Sequence, residues 1–192
     1  METLRECRQS NTAVCRDLYA YTLAIKPDEL TQDKIQEEKQ FFFNNEEDRL
    51  DHSFISVADF TIKEAMEETL IRWLHRIVSS TNGFTVTLNN YGVFPGESIY
   101  LRVQDHTPIQ KLVKQVKALE PYIKSDNGND LDTCIRPHLP VLSASETAEY
   151  DNAVHIYAQR VFHESFSVQE LVLLKQEAGK LKRVNVFKML PE

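Results

Sequence analysis

Cysteine is scarce in this chain: three residues in 192, at Cys7, Cys15 and Cys134. An odd count with no C-x-x-C pair argues against a disulfide framework and against a zinc site, leaving reduced thiols as the expectation. Long apolar runs are missing. No stretch approaches the roughly 20 residues that cross a bilayer, and the opening "METLRECRQSNTAVCRD" has no apolar signal core. An excess of basic residues is missing too: 22 Lys and Arg stand against 29 Asp and Glu, for a net charge of -7. Wrapping long nucleic acid by bulk attraction needs clustered Lys and Arg, so binding of long DNA is not expected. A local basic cleft for one phosphate or a short oligonucleotide remains compatible with that charge. Glycine is sparse, and "GVFPGE" carries neither phosphate-loop nor dinucleotide-loop spacing, so it reads as a turn. A soluble cytoplasmic protein is the expectation.

With 42% hydrophobic and 27% charged residues, the chain has globular composition and is long enough to bury a core without staples. Residues 1–17 are polar and lack periodicity; they read as an N-terminal extension to a single bilobal domain over 18–192. "LYAYTLAI" is rich in strand formers and stops at Lys26-Pro27. "TQDKIQEEKQFFF" reads as a helix and "SFISVADF" as a strand. Thr61 and Glu64 have capping-box spacing ahead of "IKEAMEETLIRWLHRIVSS", whose apolar residues recur at helical spacing. "FTVTLNNY" and "SIYLRV" are strands, "TPIQKLVKQVKAL" a helix, and "KSDNGNDLD" a loop. "IRPHLPVLS" is a strand with a proline inside it. Ser143 and Glu146 repeat the capping-box spacing before a helix through "AEYDNAVHIYAQRVF". "SFSVQELVLLK" and "RVNVFKML" close the chain as strands around a Gly-Lys turn.

The order β-α-β-α-β-β then α-β-α-β-β specifies an α+β fold in two similar halves. The expected architecture is two pseudo-symmetric lobes of antiparallel sheet, helices on the outer faces, and a central cleft. "SFISVADFTIKEA" and "RPHLPVLSASETA" occupy equivalent places.

A histidine two residues before a Ser or Thr on a strand shares a face with it. The imidazole can move a proton near neutral pH while the hydroxyl holds a phosphate oxygen. Two such strands would put an acid and a base on opposite sides of one phosphodiester, with no metal or cofactor called for. The chain resembles the two-histidine phosphoesterase superfamily, in its branch of 2′-5′ RNA ligase-like proteins and cyclic phosphodiesterases. The resemblance runs from Leu18 to the C-terminus. It is strongest in "FISVADF", "LIRWLHRI", "FTVTLNNYGVFPGESIYLRVQDH", "RPHLPVL", "FHESFSVQELVLLK" and "RVNVFKMLP", which look like segments of bacterial members. It implies a nucleotide or short RNA phosphodiester as the partner.

The family signature, H-x-T/S-x once per half, is incomplete in both halves. The first reads Phe54-Ile55-Ser56-Val57: the hydroxyl stays as Ser56 and the histidine position holds Phe54. The second reads His138-Leu139-Pro140-Val141: the histidine stays and the hydroxyl position holds Pro140. His52 lies two residues before Phe54 on the same face, about 6–7 Å further along the strand. It substitutes for the missing imidazole only with a bulge, a shifted register or a reseated substrate. Tyr100 and Arg102 alternate in "IYLRV" and share a face, either a cleft wall for base and phosphate or a solvated sheet. His106, His155 and His163 have no metal-ligand spacing to each other, His75 reads as an exposed or staple-like residue on the helix beside Trp73, and Cys134 near His138 reads as chance proximity. Two readings follow. In one, an active phosphodiesterase or ligase uses His138. In the other, a member with reduced or lost catalysis binds a ligand or a protein on the same fold. Phe54 and Pro140 favour the second.

Overall fold

The computed structural model describes residues 18–40, 53–125, 131–143 and 150–192. The extension 1–17 and His52 lie outside the described residues. In chain order the elements are β1 (Leu18–Ile25), α1 (Glu29–Gln40), β2 (Ile55–Lys63), α2 (Glu67–Val78), β3 (Phe84–Phe94), β4 (Ser98–Val103) and α3 (Thr107–Val116). There follow α4 (Glu120–Ser125), β5 (Asp132–Thr133), β6 (His138–Ser143), α5 (Tyr150–Ala158), β7 (His163–Val168), β8 (Glu170–Glu177) and β9 (Lys180–Lys188).

The strands form two sheets, of order β5-β2-β1-β8-β9 and β6-β4-β3-β7, with all paired strands antiparallel. Helices α2, α3 and α4 cover one face of the five-stranded sheet, while α1 and α5 cover one face of the four-stranded sheet. The α+β architecture matches the expectation. The lobes are not the two sequence halves, however. β1 and β2 are completed by β8 and β9 from the end of the chain, and β3 and β4 by β6 and β7. Helix α1 follows β1 yet packs on the other sheet. One core cluster, including Leu23, Ile55, Leu88, Leu101, Leu139 and Leu173, runs under both sheets.

Several element boundaries differ from the sequence pattern. Thr61 does not cap a helix: β2 continues to Lys63 with Thr61 opposite Ala20, and Ile62 is buried in the core. The gain of an eight-rung ladder with β1 outweighs the local cap. The single strand expected over 165–175 is two strands in different sheets, separated at Gln169. Its two parts have different periodicity. Residues 165–168 alternate exposed and buried, whereas 171–175 are all buried. Alternation marks a half-open sheet and a continuous buried run marks a covered one. Helix α3 passes through a 3-10 turn into α4 because Pro121 cannot donate into an α-ladder. The last hairpin turns at Ala178-Gly179, both at positive φ, as two-residue turns between strands require. β6 starts at His138, and Ile135 stands outside it, 79% exposed. Glu146, the second half of the Ser143 capping pair, lies outside the described residues.

Two polar networks tie helices to sheets. Lys175 on β8 is only 3% exposed, yet its ammonium meets Glu64, Glu67 and Glu177 and lies 3.9 Å from the Tyr19 ring. Tyr21 also donates to Glu67, so the start of α2 is pinned to β1 and β8. On the other sheet Arg160 grips Glu38 of α1 with two bonds of 2.7 and 2.8 Å, and Tyr91 donates to the same carboxylate.

Candidate functional site

Each motif strand carries a β-bulge immediately after its hydroxyl position. On β2, Ser56 pairs with Ala24 while Ala58 pairs with Leu23, so Val57 is the extra residue. On β6, Pro140 pairs with Tyr100 while Leu142 pairs with Ile99, so Val141 is the extra residue. In both strands the extra valine and the residue after it point into the core. Phe54-Ile55-Ser56-Val57 and His138-Leu139-Pro140-Val141 are therefore equivalent in backbone pairing, although only the valine is common to both. Bulges of this kind bend a strand and re-aim the side chains beyond them. β6 ends its sheet, which explains Pro140. On an edge strand a missing N–H removes no ladder bond from a second neighbour.

The two sheets meet where β2 runs beside β6. The segment 134–137 links them, and the amide of Cys134 donates to the carbonyl of Val57. Burial is the main cause pushing the Cys134 thiol up, with the nearby carboxylates of Asp59 and Asp132 adding to it. That shift favours the protonated thiol over the nucleophilic thiolate at Cys134.

Around His138 the open face of the four-stranded sheet carries an aromatic cluster. Phe94 and Tyr100 stack with centroids 4.4 Å apart, and the imidazole stands edge-on at 5.1 and 5.0 Å from them. Tyr100 lies directly over Gly92, its partner on β3; a Cβ there would meet the ring at 2.5 Å. His138 Nδ1 is 2.8 Å from the carbonyl oxygen of Arg136. A carbonyl only accepts, so Nδ1 carries the proton, and in the neutral ring Nε2 keeps its lone pair. Arg102 sits directly opposite His138 on β4, exposed, with Nε donating to the carbonyl of Asn89 at 3.3 Å. Sequence alternation had put Tyr100 and Arg102 on one face, and the structure adds that His138 shares it.

The first half-site is different. Phe54 packs with Ala24, Val172 and Leu174 in a small buried apolar cluster on the face of the five-stranded sheet away from α2, α3 and α4. Ser56 donates its hydroxyl proton to Asp59 at 2.5 Å, and Thr22 donates to the other oxygen of the same carboxylate at 2.5 Å. Sequence reasoning missed Asp59. By strict alternation it would face the core with Val57, and only the bulge returns it to the open face beside Ser56. Among the described residues, no three His, Cys, Asp or Glu side chains gather as a metal site would require.

The model of the 2′-5′ RNA ligase superfamily matches residues 27–180 of this chain. The chain belongs to the 2′-5′ RNA ligase superfamily. No curated protein sequence matches it. Among solved structures, E. coli LigT in apo form superposes with a TM-score of 0.66 at 16% identity, over 91% of this chain and 99% of that one. E. coli LigT complexed with 3′-AMP gives 0.64 at 15% identity, over 91% and 99%. The Thermus thermophilus protein TT0787 gives 0.62 at 14%, over 90% and 99%. At that identity the superpositions establish a shared fold. No helix among the described residues of this superfamily member is long and apolar enough to cross a membrane.

Proposed function

We propose that this protein binds a nucleotide or a short RNA phosphodiester on the open faces around His138 and Ser56, with turnover reduced or lost. The observation that carries the reading is the His138–Arg102 pair beside the Phe94–Tyr100 stack. A guanidinium can hold a phosphate oxygen, an aromatic face can take a base, and Nε2 of His138 can accept a proton between them. LigT, which has the same fold, has been crystallised with phosphate and with 3′-AMP, which supports a nucleotide as the ligand class. Phe54 in place of the second imidazole removes one acid–base group, worth roughly 10²–10⁴ in rate. Pro140 offers neither hydroxyl nor N–H to an oxyanion.

The test is hydrolysis of 2′,3′-cyclic AMP by wild type, His138→Ala and the Phe54→His/Pro140→Thr double variant. Binding without turnover in wild type, with turnover gained in the double variant, is the expected result. Efficient wild-type turnover that vanishes in His138→Ala would replace this reading with an active phosphodiesterase. A second reading, a protein-binding module on the same fold, is favoured by the apolar cluster around Phe54 and predicts no nucleotide binding at all.

A further inference from the structure

A sheet edge is a row of unpaired amides and carbonyls, and folded proteins blunt it with proline, lysine, brevity or a cover. Among the described residues, three edge strands are blunted in that way. β5 is two residues long. β6 carries Pro140 and lies beside β2. β9 carries Lys180, Lys182, Arg183 and Lys188. β7, "HESFSV", also ends its sheet, and it has neither proline nor a Lys or Arg. Its carboxylate, Glu164, is neutralised by Lys34 of α1.

The groups that this edge offers follow from its pairing with β3. Asn90 donates its amide to the carbonyl of Phe162, which makes those two a hydrogen-bonded pair. Such pairs alternate along an antiparallel ladder. Leu88–Glu164, Val86–Phe166 and Phe84–Val168 are therefore bonded pairs, and the amides and carbonyls of His163, Ser165 and Ser167 point away from β3. Those three are also the exposed residues of the strand. Among the described residues no hydrogen bond reaches their outward groups. Apolar side chains flank the edge. Val161, just ahead of the strand, is 81% exposed. Leu30, 76% exposed, lies one turn before Lys34 on the side of α1 from which Lys34 reaches β7.

We infer that β7 is an interaction edge whose partner is β7 of a second copy of this chain, paired antiparallel about a two-fold axis at Ser165. The strand is complementary to itself in that register. Ser165 meets its own copy and His163 meets the partner's Ser167, so every outward amide and carbonyl finds a mate. On the helix-covered face Glu164 meets the partner's Phe166, and no like charges stand opposite each other. An axis at Glu164 would instead set two carboxylates face to face. The two four-stranded sheets become one continuous sheet. α1 of both copies then lies on the same side of it, with the exposed Leu30 and Val161 close to the junction.

The experiment is sedimentation equilibrium on the full chain over a concentration series. Wild type should dimerise with a Kd of about 10–100 µM, as small interfaces do. Ser165→Lys puts like charges at the axis, and Ser165→Pro removes an outward amide but no bond to β3. Each should weaken the dimer at least about tenfold. Ser165→Lys should keep the wild-type urea midpoint when both proteins are dilute and monomeric, so a folding failure in Ser165→Pro leaves the test intact. Ser165→Cys reads the register. The Cα atoms of a hydrogen-bonded pair stand about 5.5 Å apart, within disulfide range, so mild oxidation should link two copies at position 165. Ser167→Cys should cross-link no more than wild type, which keeps Cys7, Cys15 and Cys134. A wild type that stays monomeric at about 1 mM, a dimer that Ser165→Lys leaves intact, or cross-linking at 167 in place of 165 would overturn the proposal.

Discussion

Ser56 and Asp59 are joined by a hydrogen bond of 2.5 Å in which the serine gives its proton to the carboxylate. At the place where a phosphate oxygen would look for a donor, the proton is already committed and a negative charge stands one bond away. Thr22 is committed to the same carboxylate. This half-site therefore offers acceptors, suited to ribose hydroxyls or base amines, more than donors.

Asp59→Asn should strengthen nucleotide binding. A phosphate held at Ser56 would lie about 5 Å from the carboxylate, where like charges cost roughly 1–3 kcal/mol for an effective dielectric between about 80 and 20. Calorimetric titration of 3′-AMP should show a gain of about fivefold or more in Asp59→Asn, and none in Asp59→Glu. Equal affinities in the three proteins would show that phosphate does not approach this end of β2.

Gly92→Ala tests the aromatic cluster. The added methyl would meet the Tyr100 ring at 2.5 Å, so the ring must swing off β3 and away from its stack on Phe94. Overpacking of this kind costs about 1–3 kcal/mol. Urea denaturation should report that loss. Any binding of a nucleobase there should weaken in step, because the platform has moved.

Arg160→Ala should be the most damaging surface-proximal change, at about 2–4 kcal/mol, because it strands a largely buried carboxylate. Burial alone would raise the Glu38 carboxyl, but the bonds from Arg160 and Tyr91 hold it below the usual range. A depressed carboxyl stabilises the fold above its ordinary titration near pH ~4 and loses that contribution as pH falls through the folded value. The stability gap between wild type and Arg160→Ala should therefore be full at about pH 7 and shrink on acidification below about pH 4. A gap independent of pH would mean that the arginine acts through packing alone.

Lys175 should be the slowest lysine to acetylate. Burial pulls its ammonium down, but the hydrogen bonds to Glu64 and Glu177 outweigh burial and hold it above the ordinary lysine range. Neutral amine is scarcer by about tenfold for each unit of that rise, and access is blocked as well. Peptide mass spectrometry after brief acetylation at about pH 8 should find Lys180, exposed on the next strand, modified at least about tenfold faster.

The α+β class, the antiparallel strands and the family were legible in the sequence, since alternation and helical spacing survive in most segments. Tyr100 and Arg102 on one face followed from period-two counting alone. What escaped depends on partners distant in sequence. Asp59 reaches the open face only through a bulge opposite Leu23 and Ala24, which no local pattern marks. The crossing at Gln169 was visible as a change of periodicity inside "SFSVQELVLLK", yet two strands end to end read as one. Thr61 carried a good capping signal that an extended ladder overrode.

The exchange of strands between the halves also governs how the chain is made. β1 finds its second neighbour in β8, and β3 finds its second neighbour in β7, both contributed by the last fifth of the chain. During synthesis, therefore, β1–β2 and β3–β4 emerge as two ribbons with open, hydrogen-bonding edges and stay so until β7 and β8 appear. Unpaired edges invite association with other chains, and long-range closure is slow. Neither lobe can be excised by cutting the chain once. A nascent chain stopped before His163 would hold both bulged motif strands but neither finished sheet, so the two half-sites mature together, once β7 and β8 have emerged.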